Sequence, residues 1–358
     1  MARILVLCPY PLHGAPSQRF RFEQYLESLH EEGHVVAVSP FMPAVAHRII
    51  YKRGYLARKV CGVLFGFLRR LACMSTLVRY DYVFVHREAS PIGPPIFEAI
   101  VSALHRRTIF DFDDAIFVPR VSEGNRLVMH LKWFTKTSFT CKRFWKVAVC
   151  NPYLQQWALQ RNKNVVLLPT TIDLTYHRRI THSPPLRLPT IGWTGSHSTV
   201  KYLDVVRKAL VDLSARYEFE FIVICDVDPK LDEVPNYRFI RWTLETEIED
   251  LSQIQIGLMP VPEGEWEMGK VGFKAIQYSG VGAVPVVSAT GSGHEVVIDS
   301  ETGFVVKNTT EAWVNALSKL LAEPETVRVM GAKAREYIRL HYSVEANTDI
   351  FLNLFTAQ

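Results

Sequence analysis

Several classes of protein are excluded by what this 358-residue chain does not contain. Its six cysteines, Cys8, Cys61, Cys73, Cys141, Cys150 and Cys225, form no CxxC pair and no Cys/His ligand spacing, so reduced thiols in a cytoplasmic protein are their simplest account. No uninterrupted apolar run reaches the ~18 residues that suggest a membrane-spanning helix. The apolar core of the N-terminal MARILVLCPYPL is too short for a signal peptide and reads as a buried first strand. A Walker phosphate loop, a nucleic-acid-binding module, internal repeats and low-complexity tracts are all missing. The net charge of +5 is mild, compatible with phosphate ligands or an acidic membrane surface without demanding either. What the chain does have is length and apolar content for two ordinary domains, each with its own core.

One local absence is informative. From His47 to Arg79 there is no acidic residue, while Arg48, Lys52, Arg53, Arg58, Lys59, Arg69, Arg70 and Arg79 interleave with bulky apolar side chains. This pattern predicts a basic amphipathic helix or helix pair, suited to an anionic bilayer surface. The alternative is a helix packed on a sheet with a solvated basic face.

The most patterned stretch is Glu263 to Gly303, EGEWEMGKVGFKAIQYSGVGAVPVVSATGSGHEVVIDSETG. A helical run, the buried-strand run Ala283 to Ser288, a glycine-rich turn and a second helix start read as a ligand-binding βαβα unit. Gly269 and Gly272 flank the expected helix start, where free N–H groups favour an anionic ligand and a missing Cβ permits close approach. Lys270 and Lys274 supply positive charge there, and Glu267 can face the same ligand from another depth. An ordinary charged surface loop is the alternative for these residues taken alone.

Upstream, Arg3 to Cys8 reads as a buried parallel strand. After it, Ser17 is expected to cap a helix running to about Leu29, which puts Gly14, Arg19 and Arg21 at the ligand-binding end of an open α/β sheet. A structural turn with solvent-facing arginines, one paired with Glu23 or Glu27, is the alternative. Asp81 to His86 is a strand with Arg87 and Glu88 at its C-terminal end, and Thr108 to Phe112 is another, ending in Asp111, Asp113 and Asp114. These carboxylates could bind a metal, activate an acceptor hydroxyl or cap the next segment, but alternation along a strand lets only part of the cluster converge. Asp113 or Asp114 is expected to line an acceptor and Asp111 to be structural.

Lys146 to Cys150 and Val165 to Pro169 read as further strands, and Tyr176 to Pro189 as a polar linker. The second half opens with a strand, Thr190 to Trp193, then Gly195-Ser196-His197-Ser198-Thr199 and a helix with an early Lys201. Amides, hydroxyls and an ammonium in that order make sensible phosphate chemistry. Phe219 to Cys225 and Ile254 to Met259 are strands, and Thr310 to Leu321 and Glu323 to His341 are helical.

The order of a loop glutamate, a glycine pair, Ala275, Gln277-Tyr278, Gly282, Pro285 to Ser288, Gly293, Glu295-Val296-Val297 and Thr302-Gly303 resembles the nucleotide-binding domain of retaining GT-B glycosyltransferases, family four. The resemblance implies an α/β fold of two Rossmann-like, doubly wound parallel-sheet domains facing a cleft. It divides the chain into an acceptor-binding domain at 1–175, a nucleotide-sugar-binding domain at 176–342 and a returning C-terminal helix at 343–358. It implies a nucleoside-diphosphate-sugar co-substrate, no permanent cofactor, no essential metal, and a carbohydrate or lipid-linked acceptor. Donor contacts would come from Gly14, Gly195, Ser196, Lys201, Gly269, Lys270, Lys274 and Glu295, with Glu267 nearest the transferred sugar. Arg19, Arg21, Arg87 and Glu88 would lie on the acceptor side, with Asp113 and Asp114. Trp242 to Glu245 resembles the base-contacting segment.

Two departures stand out. The family pattern has two glutamates eight residues apart; here Lys274 takes the second position, Glu267 stands one residue closer than that spacing asks, and a lysine cannot accept hydrogen bonds from ribose hydroxyls. Trp193 stands where an arginine is expected. The altered pair and the DFDDAIF run resemble a bacterial subset of the family. The function implied is retaining sugar transfer to a hydroxyl, in bacterial polysaccharide or glycolipid synthesis on the inner face of the cell membrane. A catalytically silent assembly subunit and a sugar-nucleotide epimerase of the same architecture are the alternatives.

Overall fold

The computed structural model describes residues 1–50, 52, 54–119, 133–178, 180 and 187–356. Arg53 and most of the polar stretch before Pro189 lie outside the described residues. The chain divides into two compact units, Met1–Thr170 with Asn347–Gln358, and Thr171–Ala346.

The first unit is built on six parallel strands: β1 (Arg3–Cys8), β2 (Val35–Pro40), β3 (Tyr82–His86), β4 (Thr108–Phe112), β5 (Lys146–Val149) and β6 (Val165–Leu167). Their order is β2-β1-β3-β4-β5-β6. The sequence of windings therefore reverses between β1 and β3, and the C-terminal ends of those two strands flank the crevice where such sheets take ligands. Central strands β3, β4 and β5 are buried throughout, which is why they read as unbroken apolar runs. Residues from Asn347 onward pack on this unit: Phe351 stacks on Tyr25 with ring centroids 4.5 Å apart, and Lys146 Nζ donates to the Asn353 and Leu354 carbonyls.

The helix expected from Ser17 to Leu29 is three short pieces, Pro16–Arg19, a 3₁₀ turn Glu23–Tyr25, and Leu26–Glu31. Ala15 is the N-cap and Pro16 opens the first turn, so Ser17 sits inside it and its hydroxyl is directed elsewhere. Proline is favoured at a first helical position because it has no N–H to leave unpaired.

The acid-free stretch forms a long helix, Leu56–Met74, after a short one at Ala44–His47. Its inner face carries Gly62, Gly66, Arg70 and Met74. A Cβ on Gly62 would meet Ala46 at 2.4 Å, and one on Gly66 would meet Phe41 at 2.6 Å, so the glycines let the helix lie directly on the unit. Arg70, counted above among the surface cations, is instead 1% exposed and donates to the carbonyls of Cys8, Ser39 and Ala89. The outer face holds Leu56, Val60, Leu64, Phe65, Leu68 and Leu71, all exposed, with Arg58 and Lys59 beside them.

The second unit has β7 (Thr190–Thr194), β8 (Glu220–Cys225), β9 (Tyr237–Arg241), β10 (Ile256–Met259), β11 (Val284–Ser288) and β12 (Phe304–Val306), all parallel in the order β12-β11-β10-β7-β8-β9. This is the dinucleotide-fold order, with its reversal between β7 and β10. One face is covered by Asp204–Ser214 and Thr310–Ala322, whose Val206, Leu210, Leu213, Trp313 and Leu317 form a core with β7, β8, β10 and β11. The other is covered by Phe273–Val281, which sets Tyr278 against Leu251 and Ile254. No described helix is long and apolar enough to cross a membrane, and all six cysteines are free.

Candidate functional site

The reversal point of the second unit is held open by one side chain. β10 and β7 pair only through Ile256 with Ile191 and Gly257 with Gly192, and beyond that the strands separate. Tyr278, on the Phe273–Val281 helix, spans the gap: its hydroxyl accepts from the Thr194 N–H at 2.9 Å and donates to the Leu258 carbonyl at 3.1 Å. Its ring lies where a Cβ on Gly257 would fall, at 2.2 Å, so glycine there makes room for the tyrosine.

Two loops rise beside this gap. After β7 comes Gly195 to Thr199, folded over Trp193, whose buried indole would stand 2.2 Å from a Cβ on Gly195. Trp193 is thus a core residue that seats the loop, and it forces glycine at the loop's first position. Three of the loop's amides already have partners within the protein, where the expectation had amides greeting a phosphate. Gly195 N–H donates to Ile224 O at 3.0 Å, Ser196 N–H to Thr199 Oγ1 at 3.3 Å and His197 N–H to Asp226 Oδ1 at 2.6 Å. Hydroxyls and charge remain for an anion: Ser196 and Ser198, hydrogen-bonded to each other at 2.9 Å, and the exposed Lys201 on the 3₁₀ turn Val200–Leu203.

After β10 comes Pro260 to Gly272, with a short helix Glu265–Met268. Glu267 accepts from the Tyr202 hydroxyl at 2.5 Å, which ties this loop to the turn bearing Lys201. A Cβ on Gly264 would come within 2.4 Å of the Glu267 carboxylate, so that glycine leaves the carboxylate its place. Gly269 ends the short helix and Gly272 caps the start of Phe273–Val281. The Lys270 ammonium lies 5.9 Å from the Trp266 ring centre, and Lys274 lies 5.5 Å from that of Trp193. Lys274 therefore lies beside the residue that seats the glycine-serine loop, a cation placed between the two loops.

Glu295 follows β11 on the short helix Gly293–Val296. Burial raises its carboxyl above the usual range, with His294 and a hydrogen bond from Ser292 pulling the other way. The loops after β7, β10 and β11 thus carry Gly195, Ser196, Lys201, Glu267, Gly269, Lys270, Lys274 and Glu295 on one edge of the sheet. Trp242, at the start of the segment expected to contact a base, donates to Glu247 at 3.2 Å.

In the first unit the expected residues fall into separate groups. Arg87, Asp113 and Asp114 come together: the guanidinium lies 2.9 Å from Asp113 and 3.1 Å from Asp114, and Arg87 adopts the left-handed conformation with φ of 60°. Arg21 is corrected from the acceptor side to the core. It is 1% exposed and is paired with Asp111, not with Glu23 or Glu27, while its guanidinium also donates to the Leu168 carbonyl. Burial by itself would raise the Asp111 carboxyl; Arg21 and His86 outweigh it and hold the carboxyl below its usual range. Gly14 closes a turn in which a Cβ would meet the Pro11 carbonyl at 2.8 Å. Arg19 lies against the Phe20 ring, and Glu88 lies 3.9 Å from the Lys136 ammonium.

Sequence reading assigned no role to the side chains of Tyr202, Tyr278 and His86. Their partners are distant in the chain, and no local spacing announces them. Among the described residues no cluster of three or more His, Cys, Asp or Glu side chains could hold a metal ion.

Comparison with known proteins bears on this edge of the second unit. Residues 188–323 match the profile of a family described as glycosyl transferases group 1. A trehalose synthase of Pyrococcus horikoshii is 34% identical over 74 residues, a match that covers 20% of this chain and only 18% of that protein. Sucrose-phosphate synthase from Thermosynechococcus elongatus superposes with a TM-score of 0.70 at 15% identity, covering 99% of this chain and 98% of the other. Anabaena HepE, in a complex with UDP and glucose, gives 0.66 at 12% identity with 100% of both chains covered. Residues 188–323 thus carry a domain of the glycosyl transferases group 1 family, on a chain whose two parallel-sheet units have the GT-B architecture.

Proposed function

We propose that this protein transfers a sugar, with retention, from a nucleoside-diphosphate-sugar to an acceptor hydroxyl. The observation that carries this reading is the convergence of two loops at the sheet reversal of the second unit, where Tyr202 ties Glu267 to the turn bearing Lys201. Ser196 and Lys201 meet the diphosphate, and Lys270 and Lys274 add charge to stabilise it as it leaves. Glu267, pinned by a tyrosine, accepts from hydroxyls of the transferred sugar and orients it. Glu295 completes the donor set. The donor is a co-substrate, and the reading invokes no permanent cofactor and no essential metal. The UDP complex of HepE makes uridine diphosphate the first nucleotide to try.

The first unit supplies the acceptor side through Arg87, Asp113 and Asp114, with Arg19 and Glu88 nearby on the same edge. The exposed Leu64, Phe65 and Leu68, together with Arg58 and Lys59, support a reading in which the acceptor, a polysaccharide precursor or glycolipid, is met at an anionic membrane surface. On this reading the protein works as a peripheral enzyme at the cytoplasmic face.

The test is release of UDP from a panel of UDP-sugars, with the anomer of the product read by NMR. Glu267→Gln should keep UDP binding and lower transfer at least tenfold, about 1.4 kcal/mol in the barrier. Transfer at the normal rate by this variant would remove Glu267 from the donor-sugar contact, and no turnover of any nucleotide sugar would favour a binding subunit.

A further inference from the structure

We propose that Ser17, His86 and Asp111 form a proton relay at the ligand-facing end of the first unit, through which an acceptor hydroxyl loses its proton as sugar is transferred. The inference rests on the sugar-transfer reading but is carried by different residues. β3 ends at His86 and β4 places Asp111 beside it. His86 Nδ1 lies 2.7 Å from Asp111 Oδ2, and His86 Nε2 lies 2.9 Å from Ser17 Oγ. His86 and Asp111 are both 0% exposed, whereas Ser17 is half-buried at the strand ends that flank the sheet reversal.

The chemistry of the groups sets the direction of the proton. An ionised Asp111 can only accept, so Nδ1 carries the hydrogen and Nε2 presents its lone pair to the Ser17 hydroxyl. Arg21 neutralises Asp111 from the other side and fixes its carboxylate plane. Arg87 Nη1 stands 3.4 Å from Ser17 Oγ, so charge developing on that oxygen meets a cation. The left-handed backbone at Arg87 carries a conformational cost for a residue with a Cβ, and its pairs with Asp113 and Asp114 hold it there.

In the transfer step the acceptor oxygen forms its bond to the anomeric carbon while its O–H bond breaks. That proton passes to Ser17 Oγ as Ser17's own proton passes to His86 Nε2, and the nucleoside diphosphate leaves with the electron pair of the sugar–phosphate C–O bond. The imidazolium so formed lies against Asp111. Ser17 is the catalytic residue; His86 and Asp111 act through it.

The relay is tested without any sugar by phenylmethylsulfonyl fluoride. Ser17 Oγ should attack the sulfur and expel fluoride while its proton goes to His86, at least tenfold faster than at Ser196 or Ser198, whose hydroxyls bond each other instead of an imidazole. His86→Gln, checked for folding by its melting curve, should abolish the difference. Modification of Ser17 no faster than of those two serines would overturn the proposal. Hydrolysis of a UDP-sugar, with water as acceptor, reads the role in turnover: Ser17→Ala should lower kcat at least tenfold at unchanged UDP affinity, and Ser17→Thr should restore most of it. An undiminished kcat in Ser17→Ala would also overturn the proposal. Fast modification of a wild-type protein that turns over no nucleotide sugar would keep the proton-accepting pair and sink the sugar-transfer reading.

Discussion

Tyr278 is fully buried, and its hydroxyl is the partner of two backbone groups that the separating strands leave behind. Tyr278→Phe keeps the ring against Gly257 and removes only that bridge, stranding the Thr194 N–H and the Leu258 carbonyl. Each stranded group costs roughly 1–3 kcal/mol, so the second unit should unfold at clearly lower urea, with donor affinity falling as the loop after β7 loosens. A denaturation midpoint equal to the wild type would mean that water replaces the hydroxyl. Glu295 offers a prediction of opposite sign. Its folded carboxyl titrates above the unfolded value because burial disfavours the charge, so its stabilising contribution is present below the ordinary carboxylate range and is lost as pH rises through the raised folded value. Glu295→Gln should therefore flatten the dependence of stability on pH across that window and stabilise the protein at pH 7, while weakening the donor. A variant less stable than the wild type at pH 7, measured by thermal melting, would contradict this.

At the scale of elements, the Leu56–Met74 helix joins a surface to a core. Gly62 and Gly66 seat it, and Arg70 pins it to the carbonyls at the ends of β1 and β2 and in the loop after β3. Its outer face leaves bulky apolar side chains in water at a cost that a bilayer interface would relieve. Sedimentation with anionic liposomes should be salt-sensitive, fall when Arg58 and Lys59 become glutamine, and fall further when Leu64 and Leu68 become serine. Arg70 is not a fair probe, because its loss would leave carbonyls in the core without their donor. Sedimentation unaffected by all four changes would leave this face to a protein partner. The buried strands were legible in sequence because a parallel strand covered on both faces is written as an apolar run, as in β3 and β11. β9, an edge strand reading YRFIR, and the three-residue β12 carry too little pattern to be found that way. The basic helix was legible from its charge, yet which arginine faces inward was not, since Arg69 and Arg70 differ only in angle around the helix axis.

Two domains were expected from length and apolar content, and their doubly wound sheets from the family resemblance carried by the motif order of the second half. The loops after β7 and β10 drew notice in the sequence because their glycines and charges lie close together in the chain. Arg21 with Asp111 and Tyr202 with Glu267 could not, because each pair is made only when distant strand ends meet. The central claim is that the second unit binds a nucleoside diphosphate through the loops at its sheet reversal, and titration of the purified protein with UDP and with uridine tests it most directly. UDP at ~100 times its dissociation constant should stabilise the fold by about 2.7 kcal/mol. Lys201→Ala should weaken UDP by roughly 1.5–3 kcal/mol, about ten- to a hundredfold or slightly more, and leave uridine almost unchanged, because a charge-assisted contact to phosphate is lost. Failure of UDP and of every other nucleoside diphosphate to bind, or an equal loss for both ligands in Lys201→Ala, would contradict the account.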